Sequence, residues 1–303
     1  MDQHSWLTER FEQNRARLRG VAYRMLGSLS EAEDAVQDAW LRLTRTDADG
    51  IDNLDGWLTT VVSRVCLDML RSRVARREEP MAQVTEPRAM RGEGADPEGE
   101  AVLADSVGVA LLVVLNTLTP AERLAFVLHD LFGVPFDEIG SIVGRSPDAA
   151  RQLASRARRR VRRSPAPADA GTVRQRDVVE AFLKAVRAGD LEGLLAVLDP
   201  DAVIRIDAAA RVDGVVRVDA PAAEAGMPRE VKGAATWAKQ MLALSRGLGS
   251  VAPVLIDGSV GVVVAPRGKL VRALTFTFAN AKVTRIEVIG DPARLRALAI
   301  GVL

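Results

Sequence analysis

Apolar residues recur at helical spacing in the first half of this chain and alternate at strand spacing in its last third. The first module, residues 6–79, contains three amphipathic stretches. These run from Arg10 to Leu26, from a capping start at Ser30–Glu33 through Ala35 to Thr44, and from Gly56 to about Arg76. Ser30 and Glu33 have the spacing of a capping box, which marks a helix start. The pattern predicts an all-helical module.

The second module, residues 102–163, shows the pattern of a helix-turn-helix. An apolar helix is predicted from Pro120 to Leu131, and a second from Phe136 to Val143 with Gly144 as its C-terminal cap residue. Ser146 then begins a third helix as a candidate N-cap, followed by Pro147 and Asp148, which both suit a first helical turn.

The third helix carries seven arginines and no acidic residue after Asp148. Ala150, Leu153 or Ala154, Ala157 and Val161 form a narrow inner face. The polar residues left outside are Arg151, Gln152, Ser155, Arg156, Arg158, Arg159, Arg162 and Arg163. Guanidinium groups pair with phosphates, and Arg or Gln near a helix start can pair with base edges in the major groove. The helix is therefore predicted to bind DNA. A solvated face in a protein that uses arginine freely is the alternative.

The third module, residues 172–303, changes character. An amphipathic helix pair spans Val173 to Val197, and four strand-like runs follow, separated by Asp257–Gly258, Arg267–Gly268 and Ala279–Asn280. The runs are Val251–Asp257, Gly261–Pro266, Leu270–Ala279 and Lys282–Ile289. They predict an antiparallel meander with one covered face, and so an α+β cone. Linkers rich in Pro and Gly at residues 80–101 and 164–171 separate the three modules.

Composition narrows the function classes. The 303 residues carry a formal net charge of +1, but residues 119–163 hold 9 basic against 5 acidic groups, so the basic surface is local. The single cysteine, Cys66, is predicted to be a buried, inert thiol. No signal peptide is visible, and the longest apolar run, near Val107 to Leu115, is too short to span a bilayer. A cytoplasmic protein with no membrane contact is expected.

Histidine and cysteine are too scarce for common catalytic sites. His4 and His129 are the two histidines, and residues 172–303 contain neither histidine nor cysteine. Carboxylates alone remain for proton transfer in the third module: Asp199, Asp201, Asp207, Asp213, Asp219, Glu224, Glu230 and Glu287. No metal, no cofactor and no enzymatic activity are therefore expected.

Several stretches in the same order resemble one family. Ala32–Leu41 is similar to the acidic helix by which sigma region two grips the polymerase clamp, and Trp57–Arg71 to the helix that meets the minus-ten promoter element. Phe126–Asp130 and Ala149–Arg158 resemble region four, whose last helix enters the minus-thirty-five major groove. Nearly the whole chain thus resembles an extracytoplasmic-function (ECF) sigma factor of RNA polymerase, in the sigma-J-like subgroup with a C-terminal SnoaL-like domain.

The resemblance implies a sigma factor that binds the β-prime clamp and β flap of core RNA polymerase and opens promoter DNA. Asp34, Gln37, Asp38 and Leu41 lie at i, i+3, i+4 and i+7, so one helix face can dock on a basic partner. The loop from Thr46 to Asp55 is the expected pocket for an unstacked promoter base. Trp40 and Trp57 are expected in the core. The predicted DNA-contacting residues are Asn53, Arg64, Arg71, Arg73, Arg76, Arg151, Gln152, Ser155, Arg156, Arg158 and Arg159.

The chain departs from the subgroup where regulation is expected. Val84–Pro87 replaces most of a Trp-Leu-Pro-Glu-Pro element, Asp207–Arg211 has three alanines in place of three glycines, and Gly290–Leu295 replaces Asn-Pro-Asp-Lys-Leu. Alanine rarely adopts positive φ, so a more regular strand is expected after Asp207. The predicted regulatory residues are Asp207, Arg211, Asp291, Pro292 and Leu295.

Two other functions stay open at this stage. One is a stand-alone helix-turn-helix regulator that never binds polymerase, against which the acidic clamp-like helix argues. The other is a cyclase-like enzyme fused to a DNA-binding module, against which the missing histidine argues. Whether the cone binds a small-molecule ligand is open.

Overall fold

The computed structural model describes residues 3–46, 51–78, 108–161, 170–207, 229–245 and 251–303. Helices fill the first half of the chain, and a seven-stranded sheet with flanking helices forms the second. The chain divides into two compact units, residues 1–107 with 115–160, and residues 108–114 with 161–303. The predicted class, helical modules followed by an α+β domain, is confirmed.

The first unit begins with three long helices: α1 (Gln3–Leu26), α2 (Leu29–Leu43) and α3 (Leu54–Glu78). Helix α2 buries its small and aliphatic face, with Ala32, Ala35 and Ala39 at most 1% exposed. The predicted capping start at Ser30 is wrong, because the N-cap residue is Ser28 and it makes no side-chain capping bond. The Ser30 hydroxyl instead lies 3.0 Å from that of Ser28, inside the first turn.

The helix-turn-helix forms as predicted. Helix α5 (Pro120–Phe126) continues as a π-helical turn, Val127–Leu131, and is followed by α6 (Phe136–Val143) and α7 (Pro147–Val161). Gly144 ends α6 at φ 69°, a left-handed conformation that glycine adopts without strain. A Cβ at Gly140 would lie 2.7 Å from the carbonyl oxygen of Arg145, so the glycine lets the turn before α7 close tightly.

Helix α5 is anchored at its start by a capping box. The Thr119 hydroxyl accepts from the backbone N–H of Glu122, and the Glu122 carboxylate accepts from the Thr119 N–H. This reciprocal pair satisfies two amide groups that a helix start leaves without partners.

The second unit contains a sheet of seven strands in the order β2-β1-β6-β5-β4-β3-β7. The helices before and within it are α8 (Ala170–Ala188), α9 (Leu191–Val197), α10 (Ala234–Ser245) and α11 (Pro292–Ala297). The strands are β1 (Leu198–Ile206), β2 (Arg229–Lys232), β3 (Val251–Ile256), β4 (Ser259–Val264), β5 (Arg272–Ala279), β6 (Lys282–Ile289) and β7 (Ile300–Gly301).

Strands β3 to β6 form the predicted antiparallel meander. Strand β1 adds to it in parallel with β6, a pairing that the sequence pattern did not predict. The last turn was misplaced by one residue, since Asn280 and Ala281 adopt φ 52° and 59°. Two consecutive left-handed residues suit a tight hairpin, because their twist matches that of the strands.

Both faces of this sheet are covered. One face packs against α8, α9 and α10, with Phe182 stacked on Trp237 at 5.9 Å between ring centroids. The opposite face packs against α4 (Val109–Leu115), whose Ala110 and Val113 join Val254 and Leu295 in a second apolar cluster. The predicted single covered face is wrong, because Ala273 is buried in the cluster with α4 while Leu274 and Phe276 are buried on the opposite face. The alternation of buried and exposed side chains holds only from Phe276 to Thr277.

Candidate nucleic-acid interface

Helix α2 presents the acidic face that the sequence predicts. Asp34, Gln37 and Leu41 are exposed, and Asp38 beside them is partly exposed. Asp38 accepts a hydrogen bond from Arg42 at 2.9 Å, an exposed pair four residues apart that contributes little to stability. Leu41 keeps 44% of its surface accessible, so the face combines carboxylates with an apolar contact.

Helix α3 carries the predicted minus-ten residues on its exposed side. Asn53 caps the helix, because its side-chain oxygen accepts from the Gly56 N–H at 3.0 Å. Arg64, Arg71 and Arg76 are exposed. Residues 47–50 of the predicted base pocket lie outside the described residues.

Arg73, one of the predicted minus-ten residues, contacts other helices of the protein. Its guanidinium donates to the carbonyl oxygen of Leu26 at 3.1 Å and pairs with Glu31, so it ties the ends of α1 and α2 to α3. Only 29% of the side chain is exposed. Carbonyl groups at a helix C-terminus attract cations, which explains this position. Arg73 therefore holds the end of α1 and the start of α2 against α3.

The predicted DNA-reading helix, α7, has its inner and outer faces as expected. Ala150, Leu153, Ala154 and Ala157 are buried, and Val161 is half-buried. Arg151, Gln152, Ser155, Arg156 and Arg159 are exposed. Ser146 caps the helix by accepting from the Ala149 N–H at 3.2 Å.

Two of the predicted DNA-contacting arginines of α7 are partly engaged within the protein. Arg151 pairs with Asp148 at 2.5 Å and lies over the Phe136 ring. Arg158 is half-buried and pairs with Asp130 at 2.6 Å, which links α7 to the π-helical turn. Binding of phosphates by these two residues would compete with internal ion pairs, whereas Arg156 and Arg159 have no ion pair among the described residues.

Arg123, which the sequence analysis did not single out, joins the two helical regions. It is 3% exposed, and its Nε donates to the carbonyl oxygen of Arg24, in the last turn of α1, at 2.9 Å. Its Nη1 donates to Asn116, and its Nη2 has no hydrogen-bond partner within the described part of the chain. Burial lowers the pKa of Arg123 to about 9, and the neighbouring Arg73 acts in the same direction.

Two weaker contacts accompany Arg123. Arg24 lies over the ring of Phe132, 5.3 Å from its centroid, and Arg64 donates to the Ser141 carbonyl oxygen at 3.3 Å. Each joins one of the first three helices to the helix-turn-helix. A buried charge without a carboxylate partner carries a desolvation cost, which the hydrogen bonds of Arg123 offset in part.

The structure brings together two of the segments predicted to regulate the protein. The Asp207 carboxylate accepts from the Asp291 N–H at 3.1 Å and lies 3.5 Å from Arg294, which also bonds to Glu287 at 2.8 Å. These carboxylates raise the pKa of Arg294, with the hydrogen bond to Glu287 as the largest cause.

Asp291 also caps α11, which Pro292 begins and whose Leu295 packs in the cluster with α4. Arg211, the alanine run before it and Val84–Pro87 lie outside the described residues.

Cys66 is buried as expected, whereas Trp40 and Trp57 are only half-buried rather than part of the core. His129 stacks on Phe136 at 3.8 Å, and Trp40 packs against Phe11 at 4.9 Å. The described residues hold no cluster of His, Cys, Asp and Glu side chains suited to a metal ion. Among the helices that the structure describes, none is long and apolar enough to cross a membrane.

Sequence reasoning missed Arg123, Arg145, Arg160 and Glu122. A charged residue at an inward position of an apolar helix was the available signal for Arg123, and Thr119 with Glu122 had capping-box spacing. Arg145 and Arg160 gave no comparable signal, because exposed arginines are common in this chain.

Two family models match the helical regions. Residues 10–76 match the model of sigma-70 region 2, and residues 108–161 match that of sigma-70 region 4. The second match includes α4, which packs on the C-terminal sheet.

The chain is similar to several sigma factors. A probable ECF RNA polymerase sigma factor SigI of Mycobacterium tuberculosis is 41% identical over 209 residues, covering 69% of this chain and 72% of the relative. The ECF sigma factor SigJ of that organism is 44% identical over 193 residues, 63% of this chain and 62% of the relative. The crystal structure of SigJ aligns over 95% of this chain and 98% of its own, at 33% identity and a TM-score of 0.43. The chain therefore belongs to the family of extracytoplasmic-function sigma factors of RNA polymerase.

Proposed function

We propose that this ECF sigma factor uses two helix faces for polymerase and promoter, and its C-terminal domain to control them. As a member of its family it binds core RNA polymerase and directs promoter-specific initiation, which excludes a stand-alone regulator. The proposal concerns which residues perform each part and how the C-terminal domain intervenes.

The polymerase contact is assigned to the exposed face of α2. Asp34, Gln37, Asp38 and Leu41 lie on one side of this helix, away from its buried alanines. An acidic face with an apolar centre fits a basic helical partner, and we assign it to the β-prime clamp. The β flap is assigned to region 4, on the resemblance to the family.

The promoter contacts are assigned to α3 and α7. Arg151, Gln152, Ser155 and Arg156 lie in the first half of α7, where a recognition helix reaches base edges. Arg158 and Arg159 follow and are assigned to phosphates. On α3, Asn53, Arg64, Arg71 and Arg76 remain the candidates for the minus-ten element, without Arg73.

One observation supports the proposal that the C-terminal domain controls the sigma regions, namely the packing of α4 on the sheet. Ala110 and Val113 of α4 are 8% and 2% exposed, in a cluster with Val254 and Leu295. Because α4 lies within the segment that matches region 4, we propose that its packing on the sheet competes with its packing in region 4. We propose that release of α4 accompanies productive binding of polymerase.

The Asp207–Arg294–Asp291 cluster supports this proposal. It fixes the start of α11, and α11 supplies Leu295 to the surface that holds α4. We assign the C-terminal domain a binding role rather than a catalytic one. The proposed control through α4 does not require a small-molecule ligand in the cone.

The test weakens the α4 surface without touching α4 itself. Val254→Ala removes two methyl groups beneath α4, and Val262→Ala removes the same groups from the opposite face of the sheet. Both valines are at most 1% exposed, so each change should destabilise the domain by about 2 kcal/mol. In transcription assays at limiting core polymerase, V254A should change promoter-dependent output several-fold relative to the wild type, and V262A should not.

The two variants are compared at equal folded fraction, measured by circular dichroism. Equal transcription by wild type, V254A and V262A over a range of core concentrations would rule out control through α4.

A further inference from the structure

Within the first unit, a cleft of about 660 Å³ lies between the second half of α3 and the helix-turn-helix. Arg71 and Val74 line it from α3, the Thr119–Glu122 turn closes one end, and Arg145, Leu153 and Arg156 line it from the other side. Its volume lies in the range of small-molecule sites, about 300–1,000 Å³.

The cleft carries an excess of positive charge. Four guanidinium groups line it, those of Arg71, Arg145, Arg156 and Arg160, against the single carboxylate of Glu122. Arg145 and Arg156 have no ion pair in the described ranges, and Arg71 has a loose pair with the exposed Asp68 at 3.7 Å. A cleft lined by one sign of charge focuses its field and concentrates counter-ions.

The Glu122 carboxylate is already satisfied. Its side chain is 5% exposed, and it accepts from Arg160 at 2.7 Å and from the Thr119 hydroxyl at 2.9 Å. It therefore neutralises Arg160 alone and leaves three guanidinium groups without a buried counter-charge. Guanidinium groups bind phosphoryl oxygens in paired, charge-assisted hydrogen bonds.

We propose that this cleft binds a small anion carrying several phosphoryl groups, either inorganic polyphosphate or a nucleoside polyphosphate. Three arginines without a buried counter-charge match a ligand with three or more negative charges, and the apolar wall of Val74 and Leu153 can receive a nucleoside. Inorganic polyphosphate and a nucleoside polyphosphate are both small enough for this volume.

Binding of the anion should affect promoter binding, an inference that rests on the promoter contacts assigned under the proposed function. Arg71 belongs to the minus-ten helix and Arg156 to the minus-thirty-five helix, so one anion engages a residue of each. The occupied cleft holds both away from promoter DNA, and the ligand acts as an inhibitor of promoter binding.

The test is calorimetric titration of the full chain with sodium tripolyphosphate and, separately, with adenosine triphosphate, at about 0.15 M ionic strength. Saturable one-to-one binding of at least one probe is expected. The Arg71→Ser, Arg145→Ser double variant should bind about tenfold more weakly or worse, which corresponds to a loss of at least about 1.4 kcal/mol for the two contacts together. A matched control is Arg45→Ser with Arg174→Ser, which removes two exposed arginines that do not line the cleft.

Tighter binding of the nucleotide than of tripolyphosphate identifies a nucleoside polyphosphate, and the reverse order identifies inorganic polyphosphate. Absence of binding by both probes, or equal weakening in both double variants, overturns the proposal. The titration needs neither polymerase nor promoter, so its failure leaves the proposed function intact.

Discussion

Cys66 illustrates how burial fixes the chemistry of a single residue. Its thiol lies in the middle of α3 with no exposed surface, and desolvation raises its pKa to about 12 from an ordinary 9.0. Nearby Arg123 and Arg73 oppose this shift but do not reverse it. The thiol stays protonated and inert at neutral pH, since the thiolate is the reactive form.

This shift predicts how stability depends on pH. The folded thiol keeps its proton up to pH 12, whereas the unfolded thiol ionises near pH 9, so the contribution of Cys66 is full below pH 9 and falls above it. Relative to Cys66→Val, the wild type should lose about 3 kcal/mol of unfolding free energy between pH 8 and pH 11. Urea unfolding of both proteins under reducing conditions measures the difference. Parallel curves for the two proteins would show that the thiol does not carry this pH dependence.

The burial of Cys66 could be predicted from sequence, whereas the hydrogen-bond partners of the buried Arg123 could not. A cysteine in an apolar helical run belongs in the core by composition alone. Arg123 is buried because Arg24 and Asn116 supply acceptors from distant turns, and no local pattern reveals such partners.

Single helices carry the functional surfaces, because one helix face groups residues three and four apart. The exposed faces of α2 and α7 were predictable from periodicity, and so were the bounds of α6 and β6. The parallel pairing of β1 with β6 and the placement of α4 were not, since both depend on contacts between segments far apart in the chain.

For α2, we expect Asp34→Arg with Asp38→Arg to abolish binding to core polymerase while the fold persists. Reversing two exposed charges turns attraction for a basic partner into repulsion, at little cost to the helix. Co-precipitation with core polymerase measures the loss. The control is Asp177→Arg with Glu180→Arg, which makes the same change of charge on an exposed face of α8 and likewise breaks an ion pair four residues apart. Undiminished binding by the α2 variant would refute the assignment of this face.

For α7, Arg156→Ala and Arg159→Ala should have different effects on DNA binding. We expect R156A to weaken promoter binding by about 1–3 kcal/mol and to relax sequence preference, because it removes a base contact. R159A should weaken binding to all duplexes alike. It should also reduce the slope of log binding constant against log salt concentration by about one. Binding to promoter and random duplexes at several salt concentrations separates the two effects. Identical behaviour of both variants would contradict this division between base and phosphate contacts.

In the first unit, the three long helices and the helix-turn-helix pack on one another through cationic contacts. Arg123 and Arg73 both bind carbonyl groups at the end of α1, but Arg73 belongs to the same region as α1 and Arg123 to the other. Sequence predicted separate modules joined by a linker and gave no sign of this contact.

The pair Arg123 and Arg73 therefore provides a matched comparison. Arg123→Ala should loosen the helix-turn-helix from the first three helices and speed hydrogen exchange at the facing amides of α5 and α6 several-fold. Arg73→Ala should speed exchange at the end of α1 and in α2 instead, because it breaks contacts within one region. Exchange mass spectrometry of the full chain distinguishes these patterns, and similar maps for both variants would show that Arg123 does not hold the two regions together.

The packing of α4 on the sheet also has a consequence for how the protein is made. Ala110 and Val113 emerge from the ribosome roughly 140 residues before strand β3, which corresponds to about 7–30 s of synthesis at 5–20 residues per second. Region 4 ends at residue 161, about 90 residues before strand β3, so α4 and the rest of region 4 are synthesised before the surface that later binds α4. A newly made region 4 is therefore complete before the C-terminal domain exists. The finished sheet must then compete with region 4 for α4.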